Sequence, residues 1–490
     1  MGQDVADRRF TREDRARYRL KVRRCLDVFA RMLSESRFDV ERRSMGLEIE
    51  LNLTDQSGDP AMVNDKVLGL IADPDFQTEL AQFNIEINIP PKRLEGEVFT
   101  GLESDVRASL NHADDLANDA GADVVMIGIL PTVRPEHLTE DTFSANPRYA
   151  LLNEQVFAAR GEDIELAIDG IERIATTADT IAPEAACTSV QLHLQVNPET
   201  FAAHWNASQA IGGVQLALGA NSPFFFHKEL WRETRIALFE QAADTRSDEL
   251  KAQGVRPRVW FGERWVTSVF DLFEENARYF TALLPICEDD DPAEQHDRGE
   301  VPALAELSLH NGTVYRWNRP IYAVVDGRPH LRVENRVLPA GPTVVDAVAN
   351  AAFYYGLVRT LAEQERPIWS QMSFSAAEEN LHSGARHGLD AMLYWPGVGE
   401  VPAAELVLRR LLPLAHAGLD SWGVDPAVRD RLLGVIEGRC TSGINGAAWQ
   451  VGVVHDLQRA GADRTTALYE MLDRYVANMH TNEPVHTWER

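Results

Sequence analysis

The 490-residue chain carries a formal net charge of −27, from 75 acidic against 48 basic residues, a balance that repels phosphate backbones and anionic lipid heads and so argues against a general nucleic-acid or membrane-surface role. Hydrophobic residues make up 44% and charged residues 25%, as in soluble globular proteins, and no apolar run approaches the roughly 20 residues of a membrane helix. The four cysteines, Cys25, Cys187, Cys287 and Cys440, show neither a CxxC pair nor a disulfide-scaffold rhythm and read as buried thiols; with an N-terminus too charged for a signal peptide, the expected location is the cytoplasm.

In chain order, Thr11-x-x-Asp14 opens a predicted amphipathic first helix, with Val22, Leu26, Phe29 and Leu33 at helical spacing and the Arg-rich residues 8–24 as a solvated basic face. Strict period-two alternation then marks four strands. Leu47, Ile49, Leu51 and Leu53 interleave with Glu48, Glu50 and Asn52, and Phe83, Ile85, Ile87 and Ile89 with Asn84, Glu86 and Asn88. Further on, Val190, Leu192, Leu194 and Val196 interleave with Gln191, His193 and Gln195, and Leu331, Val333 and Val337 with Arg332, Glu334 and Arg336.

Between these the pattern predicts a helix over 101–118, a buried strand over 123–130, a surface loop over 134–148, a helix over 199–217 and a long helix reaching about 250. The acidic stretch 288–300 reads as a solvated connector, strands resume at 314–319 and 331–337, and from Val344 the text is helical with breaks near Pro367, Pro396 and Gly418. Strands this few and scattered do not make a βαβ alternation. The expected class is α+β, with a curved, mainly antiparallel sheet in a unit over 1–345 and a helical part over 346–490 packed on it.

The polar faces of the four strands hold acids, amides, one imidazole and arginines, and no lysine. Glu48 and Glu50 point the same way with about 7 Å between Cα atoms, where like charges repel unless a cation lies between them; Mg²⁺ and Mn²⁺ favour such oxygens and accept water and phosphate as further ligands. Alone, a Glu-x-Glu is equally a solvated strand edge, and a lone strand histidine a structural residue. Glu86 between amides and His193 between glutamines are what favour a site. Arg332 and Arg336 around Glu334 suit a carboxylate or phosphoryl group, or else form a cross-strand ion-pair ladder. The chain has no P-loop, no GxGxxG opening a helix, no HExxH and no GxSxG, so a nucleotide here is held by arginines and metal.

In order, Gly46-Leu47-Glu48-Ile49-Glu50, Asn84-Ile85-Glu86-Ile87-Asn88, Gln191-Leu192-His193-Leu194-Gln195, Asn221-Ser222-Pro223-Phe224 followed by Arg232 and Arg235, and Arg332-Val333-Glu334-Asn335-Arg336 resemble the motifs of the glutamate–cysteine ligases, the bacterial and plant-type carboxylate–amine ligases, over about residues 44–360. The resemblance implies a glutamine synthetase/guanido kinase-like curved antiparallel sheet with surrounding helices, whose concave polar face binds ATP and Mg²⁺ or Mn²⁺. It implies Glu48, Glu50, Glu86 and Glu334 as metal ligands, and His193, Gln191, Arg232 and Arg235 as cofactor contacts. Arg332, Glu334 and Arg336 become the catalytic groups, the arginines steadying the phosphoryl group or substrate carboxylate and Glu334 accepting the proton of the amine. The implied reaction joins the γ-carboxylate of glutamate, or a similar carboxylate, to an amine such as cysteine through an acyl phosphate, with small-molecule substrates and no nucleic-acid or membrane partner. A guanidino kinase and a non-catalytic nucleotide-binding relative are the alternatives. Amine-dependent release of ADP and phosphate separates the first, and the retained crowd of like charges argues against the second. No residues matching the family's cysteine-binding groups are recognised, and the segment 134–183 carries no known motif.

Overall fold

The computed structural model describes residues 10–39 and 43–490; Arg8 and Arg9 of the basic segment, and the first residues of the expected 1–345 unit, lie outside them. Seven strands form one curled sheet: β1 (Ser44–Thr54), β2 (Phe76–Thr78), β3 (Asn84–Arg93), β4 (Asp123–Val125), β5 (Val190–Val196), β6 (Asn318–Val325) and β7 (Arg328–Asn335). Their spatial order is β6-β7-β5-β1-β3-β2, with β4 paired to the end of β1, and every pairing is antiparallel.

Alternation builds the two faces. Leu47, Ile49, Leu51, Ile85, Ile87, Leu192, Leu194, Leu331 and Val333 are all buried, because helices cover their side of the sheet: α2 (Val98–Ala120) packs on β3 and β4 and α3 (Val344–Ala362) on β5, with α4 (Leu412–Trp422) against α3, while α1 (Arg12–Ser34) packs on the helix Val269–Tyr279, which touches β6. Tyr355 on α3 sets its hydroxyl 3.1 Å from the carbonyl of Gly46 and 3.0 Å from that of His193, tying β1 and β5 to the helix beneath them. One continuous apolar core joins residues on both sides of position 345. Among the described residues no helix is long and apolar enough to cross a membrane.

Several local expectations are corrected. Only Asp123–Val125 of the 123–130 run pairs as a strand; Met126, Ile127, Ile129 and Leu130 are buried without a ladder. The 199–217 helix is two, Pro198–Ala210 and Gly212–Gly219, and the helix expected to reach 250 is Thr234–Ala242 and Asp248–Ala252. Of the strand expected near 314–319, Tyr315–Arg316 pairs in parallel with Val259–Trp260 outside the main sheet, and β6 begins at Asn318. The segment 134–148 includes two short 3₁₀ turns and buries Phe143 and Ser144. A β-hairpin, Met392–Trp395 with Gly399–Pro402, surrounds Pro396. Of the cysteines, Cys25 and Cys440 are buried while Cys187 and Cys287 are only half-buried.

Neither the basic face of α1 nor the acidic stretch is merely solvated, because they face each other. Arg24 pairs with Asp291 and Arg31 with Asp297, both at 2.8 Å, and Arg17 lies 3.6 Å from Asp289, while Pro292–Asp297 forms a short helix packed on α1. Gly418 does not break a helix. It lies inside α4 at a crossing with α3, where an added Cβ would fall 1.8 Å from the carbonyl oxygen of Gly356.

Candidate active site

Antiparallel register turns the alternation of single strands into rows on the polar face. Glu48 stands opposite Asn88 and Gln191, Glu50 opposite Glu86, and His193 opposite Glu334. Of these, Glu48, Glu50, Glu86, Gln191 and Glu334 line the floor of a cleft of about 770 Å³, within the roughly 300–1,000 Å³ usual for small-molecule sites.

Most of the floor is a connected hydrogen-bond network. Arg319 of β6 grips Glu334 with two bonds, Nε to Oε2 at 2.6 Å and Nη2 to Oε1 at 3.0 Å, and Arg336 adds a third at 3.4 Å. Burial raises the proton affinity of Glu334, but the guanidiniums of Arg319 and Arg336 outweigh it and hold the carboxylate well below its ordinary range. This corrects the expectation that Glu334 accepts a proton, since a carboxylate so stabilised is a poor base. Arg336 also donates to Gln191 Oε1 at 2.6 Å, and Gln191 Nε2 donates to Glu50 Oε1 at 3.0 Å; Glu50 Oε2 accepts from Ser189 N at 2.6 Å and Oγ at 3.0 Å. Gln191 is therefore a strut between an acid and an arginine.

Arg332 Nε donates to His193 Nδ1 at 3.0 Å. Because a guanidinium has no acceptor, that contact leaves the proton of the neutral imidazole on Nε2. Nε2 approaches Glu48 Oε1 to 3.0 Å and Glu334 Oε1 to 3.9 Å, outside hydrogen-bonding geometry, and remains a buried nitrogen without a partner among the described residues. Burial raises Glu48, but the imidazole of His193 beside it outweighs burial and holds the carboxyl below its ordinary range. The ligand atoms of Glu48, His193 and Glu334 all lie within 4.8 Å of one another. A cation fits the carboxylate oxygens of this group, with the Nε2–H of His193 a donor to whatever anion completes it.

Glu50, Glu79 and Glu86 form a second group within the same 4.8 Å limit. Burial, then the charge of Glu48, pushes Glu86 up to about 7; burial, then Glu86 and Glu50, pushes Glu79 well above its ordinary value; burial also raises Glu50. Three crowded acids that hold protons this firmly, Glu86 bonded to Asn88 at 2.8 Å, are a donor set suited to a hard divalent cation.

Of the residues expected at the site, Glu48, Glu50, Glu86, Gln191, His193, Arg332, Glu334 and Arg336 come together. Arg232 does not. It lies 3.5 Å from Glu229 and against Gly388, outside the cleft lining, which corrects its expected cofactor contact. Arg235 reaches a side chamber but is committed to Glu233 at 3.0 Å and the carbonyl of Val337 at 2.6 Å, so it braces the end of β7 and offers little to a nucleotide. Glu79, Glu184, Arg148 and Arg319 were not anticipated. Arg148 lines the cleft with no ion pair among the described residues, and burial, opposed by Arg336, pushes Glu184 up to about 7.

A family model described as glutamate-cysteine ligase family 2 matches residues 44–443. No curated protein matches the chain. Among solved structures, a glutamate–cysteine ligase from Francisella tularensis in complex with AMP aligns at TM-score 0.54 and 12% identity, over 92% of this chain and 96% of that one. A bifunctional glutathione synthetase from Pasteurella multocida gives 0.48 and 12%, over 93% of this chain and 55% of the other. The ligase PafA in complex with the prokaryotic ubiquitin-like protein Pup gives 0.40 and 12%, over 88% and 72%. At 12% identity the first of these speaks to the fold alone.

Proposed function

Since this chain belongs to glutamate-cysteine ligase family 2 and is thereby an ATP-dependent ligase forming amide bonds, we propose that it joins the γ-carboxylate of glutamate to a small amine such as cysteine, using ATP with Mg²⁺ or Mn²⁺. One observation carries this reading: two carboxylate groups, Glu48 with Glu334 beside His193, and Glu50 with Glu79 and Glu86, share a cleft floor with Arg332 and Arg336.

In the proposed reaction a carboxylate oxygen of glutamate attacks the γ-phosphorus, the bond to the β–γ bridging oxygen breaks, and ADP leaves. The amine nitrogen, as the free amine, then attacks the acyl carbon of the acyl phosphate, the bond from that carbon to the phosphate oxygen breaks, and one proton passes from nitrogen to the departing phosphate. Glu50, Glu79 and Glu86 would hold one cation and the oxygens of Glu48 and Glu334 another, and a divalent ion there would supply charge neutralisation of the triphosphate. Gln191 and Glu334 fix Arg336 so that its remaining N–H groups face the transferred phosphoryl group, and burial of Arg332 beside His193 sets a second donor pair. Arg148 supplies an uncommitted guanidinium for a substrate carboxylate or phosphate. Glu48 and Glu334, both held ionised, serve as ligands and not as bases.

ADP release with ATP, Mg²⁺ and glutamate, measured across an amino-acid panel, is expected to rise severalfold with at least one small amine and to fall to background without Mg²⁺. If no amine stimulates ADP release with glutamate or any other carboxylate tried, the reading fails.

A further inference from the structure

A groove of about 450 Å³ lies along α1, lined by Ala16, Arg17, Leu20, Lys21 and Arg24, with Glu13 and Asp291 also on its wall. At 3.6 residues per turn, the outer side of α1 carries two stripes of arginine. Arg17, Arg24 and Arg31, each two turns from the next, form the first, and it is filled: the acidic stretch of the same chain lays Asp289, Asp291 and Asp297 on it, while Lys21 donates to the carbonyls of Glu288 and Asp290. Arg12, Arg19 and Arg23 form the second stripe. All three are exposed and have no ion pair among the described residues. Between the stripes stands Leu20, which is 66% exposed.

Charge decides what such a face takes. Residues 12–24 hold seven basic and two acidic side chains within a chain of net charge −27, and salt screens charges beyond about 8 Å at physiological ionic strength, so a partner touching α1 feels this patch more than the distant acids. The filled stripe shows the form that complements it, a peptide segment whose carboxylates reach successive arginines. A bilayer fits less well. The apolar side of α1, with Tyr18, Val22, Cys25 and Phe29, is buried in the core, which leaves a single leucine to insert, and the net charge repels anionic lipid. A second copy of the chain brings another −27 charges.

We propose that the second stripe of α1 is a docking site for an acidic segment of a partner protein, an extended peptide whose Asp or Glu side chains pair with Arg12, Arg19 and Arg23 and which lays one apolar side chain on Leu20 in the groove. No residue of this face lines the catalytic cleft, so the inference stands independently of the ligase reading.

The probe is a fluorescein-labelled peptide of alternating Asp and Glu with one central Leu, titrated with the full chain and followed by fluorescence anisotropy. Saturable binding that weakens as NaCl is raised is expected. Arg19→Glu combined with Arg23→Glu is expected to raise Kd about tenfold, because two attractions become repulsions of similar size. Arg409→Glu combined with Arg410→Glu makes the same change in net charge at exposed arginines elsewhere and is expected to leave Kd within about twofold. Leu20→Ser is expected to raise Kd about threefold for this peptide and not for one with Ser in place of the central Leu; it alters no charge, and it carries the test if charge reversal unfolds α1, which far-UV circular dichroism shows. Absence of saturable binding, equal loss in the two charge-reversed variants, or a Kd indifferent to Leu20→Ser overturns the proposal. Tighter association with phosphatidylserine vesicles than with the peptide assigns the face to a membrane, and a wild-type dimer in sedimentation that Arg19→Glu with Arg23→Glu disperses assigns it to a second copy; either result overturns it as well.

Discussion

Glu50, Glu79 and Glu86 crowd three carboxyls into one corner of the cleft, and the consequence for stability has a definite sign. Glu86 is raised from an ordinary carboxyl value to about 7 in the folded protein, so its contribution is fully present below the unfolded value of about 4.3 and is lost as pH rises through 7. Glu79 and Glu50 shift the same way. Glu48 and Glu334 are depressed instead, and their contributions disappear only below the ordinary carboxyl range, outside that window. Thermal unfolding without divalent ions is therefore expected to show a Tm falling between pH 5 and pH 8, with Mg²⁺ raising Tm more at pH 8 than at pH 5. Glu86→Gln is expected to flatten the metal-free profile and shrink the Mg²⁺ effect. An equal Mg²⁺ shift at both pH values contradicts the second metal group. At this scale the sequence showed the acids of the alternating strands but not Glu79, which follows the three-residue β2 with no periodicity to mark it. Arg319 was legible in principle. Asp326-Gly327, both at positive φ, is a two-residue hairpin signal; it pairs Val325 with Arg328, and stepping six residues back and six on brings Arg319 opposite Glu334.

At the scale of elements, the site is held from below. The hydroxyl of Tyr355 on α3 reaches carbonyls of both β1 and β5, and α3 is in turn located by its crossing with α4, where Gly356 and Gly418 meet. An added Cβ at Gly356 would sit 2.4 Å from the carbonyl oxygen of Ala415, so both glycines are needed for close approach and not for a turn. Gly418→Ala is expected to destabilise the protein by about 1–3 kcal/mol, the usual cost of overpacking, seen as a lower denaturant midpoint; an unchanged midpoint means the helices separate freely there. Sequence reading took this glycine for a helix break because helical propensity alone counts glycine as a breaker, and the partner that demands it lies 62 positions away, 418 less 356. The same blindness to partners made solvated segments of the basic face of α1 and of the acidic stretch that pairs with it. Those ion pairs are largely exposed and individually contribute little, so they guide docking of the first helix more than they stabilise it.

For the molecule as a whole, the α+β class, the curved antiparallel sheet and the set of acids and arginines on its concave face were legible, because period-two alternation reports faces directly and four strands repeat it. Roles were less so. Glu334 reads from sequence as an available carboxylate, and only the register of β6 shows both its oxygens gripped by Arg319; Arg232 and Arg235 read as a pair, and only the fold sends one to Glu229 and the other to Glu233. The side chamber draws residues from segments as far apart in the chain as Glu50 and Arg336, and no local pattern announces it. The central claim is that the cleft transfers a phosphoryl group to a carboxylate before any amine is needed. Incubating the protein with ATP, Mg²⁺, glutamate and hydroxylamine, and no other amine, measures this directly: glutamyl hydroxamate accumulating in step with ADP is the predicted result, and its absence with glutamate and every other carboxylate tested, while ATP still binds, contradicts the account.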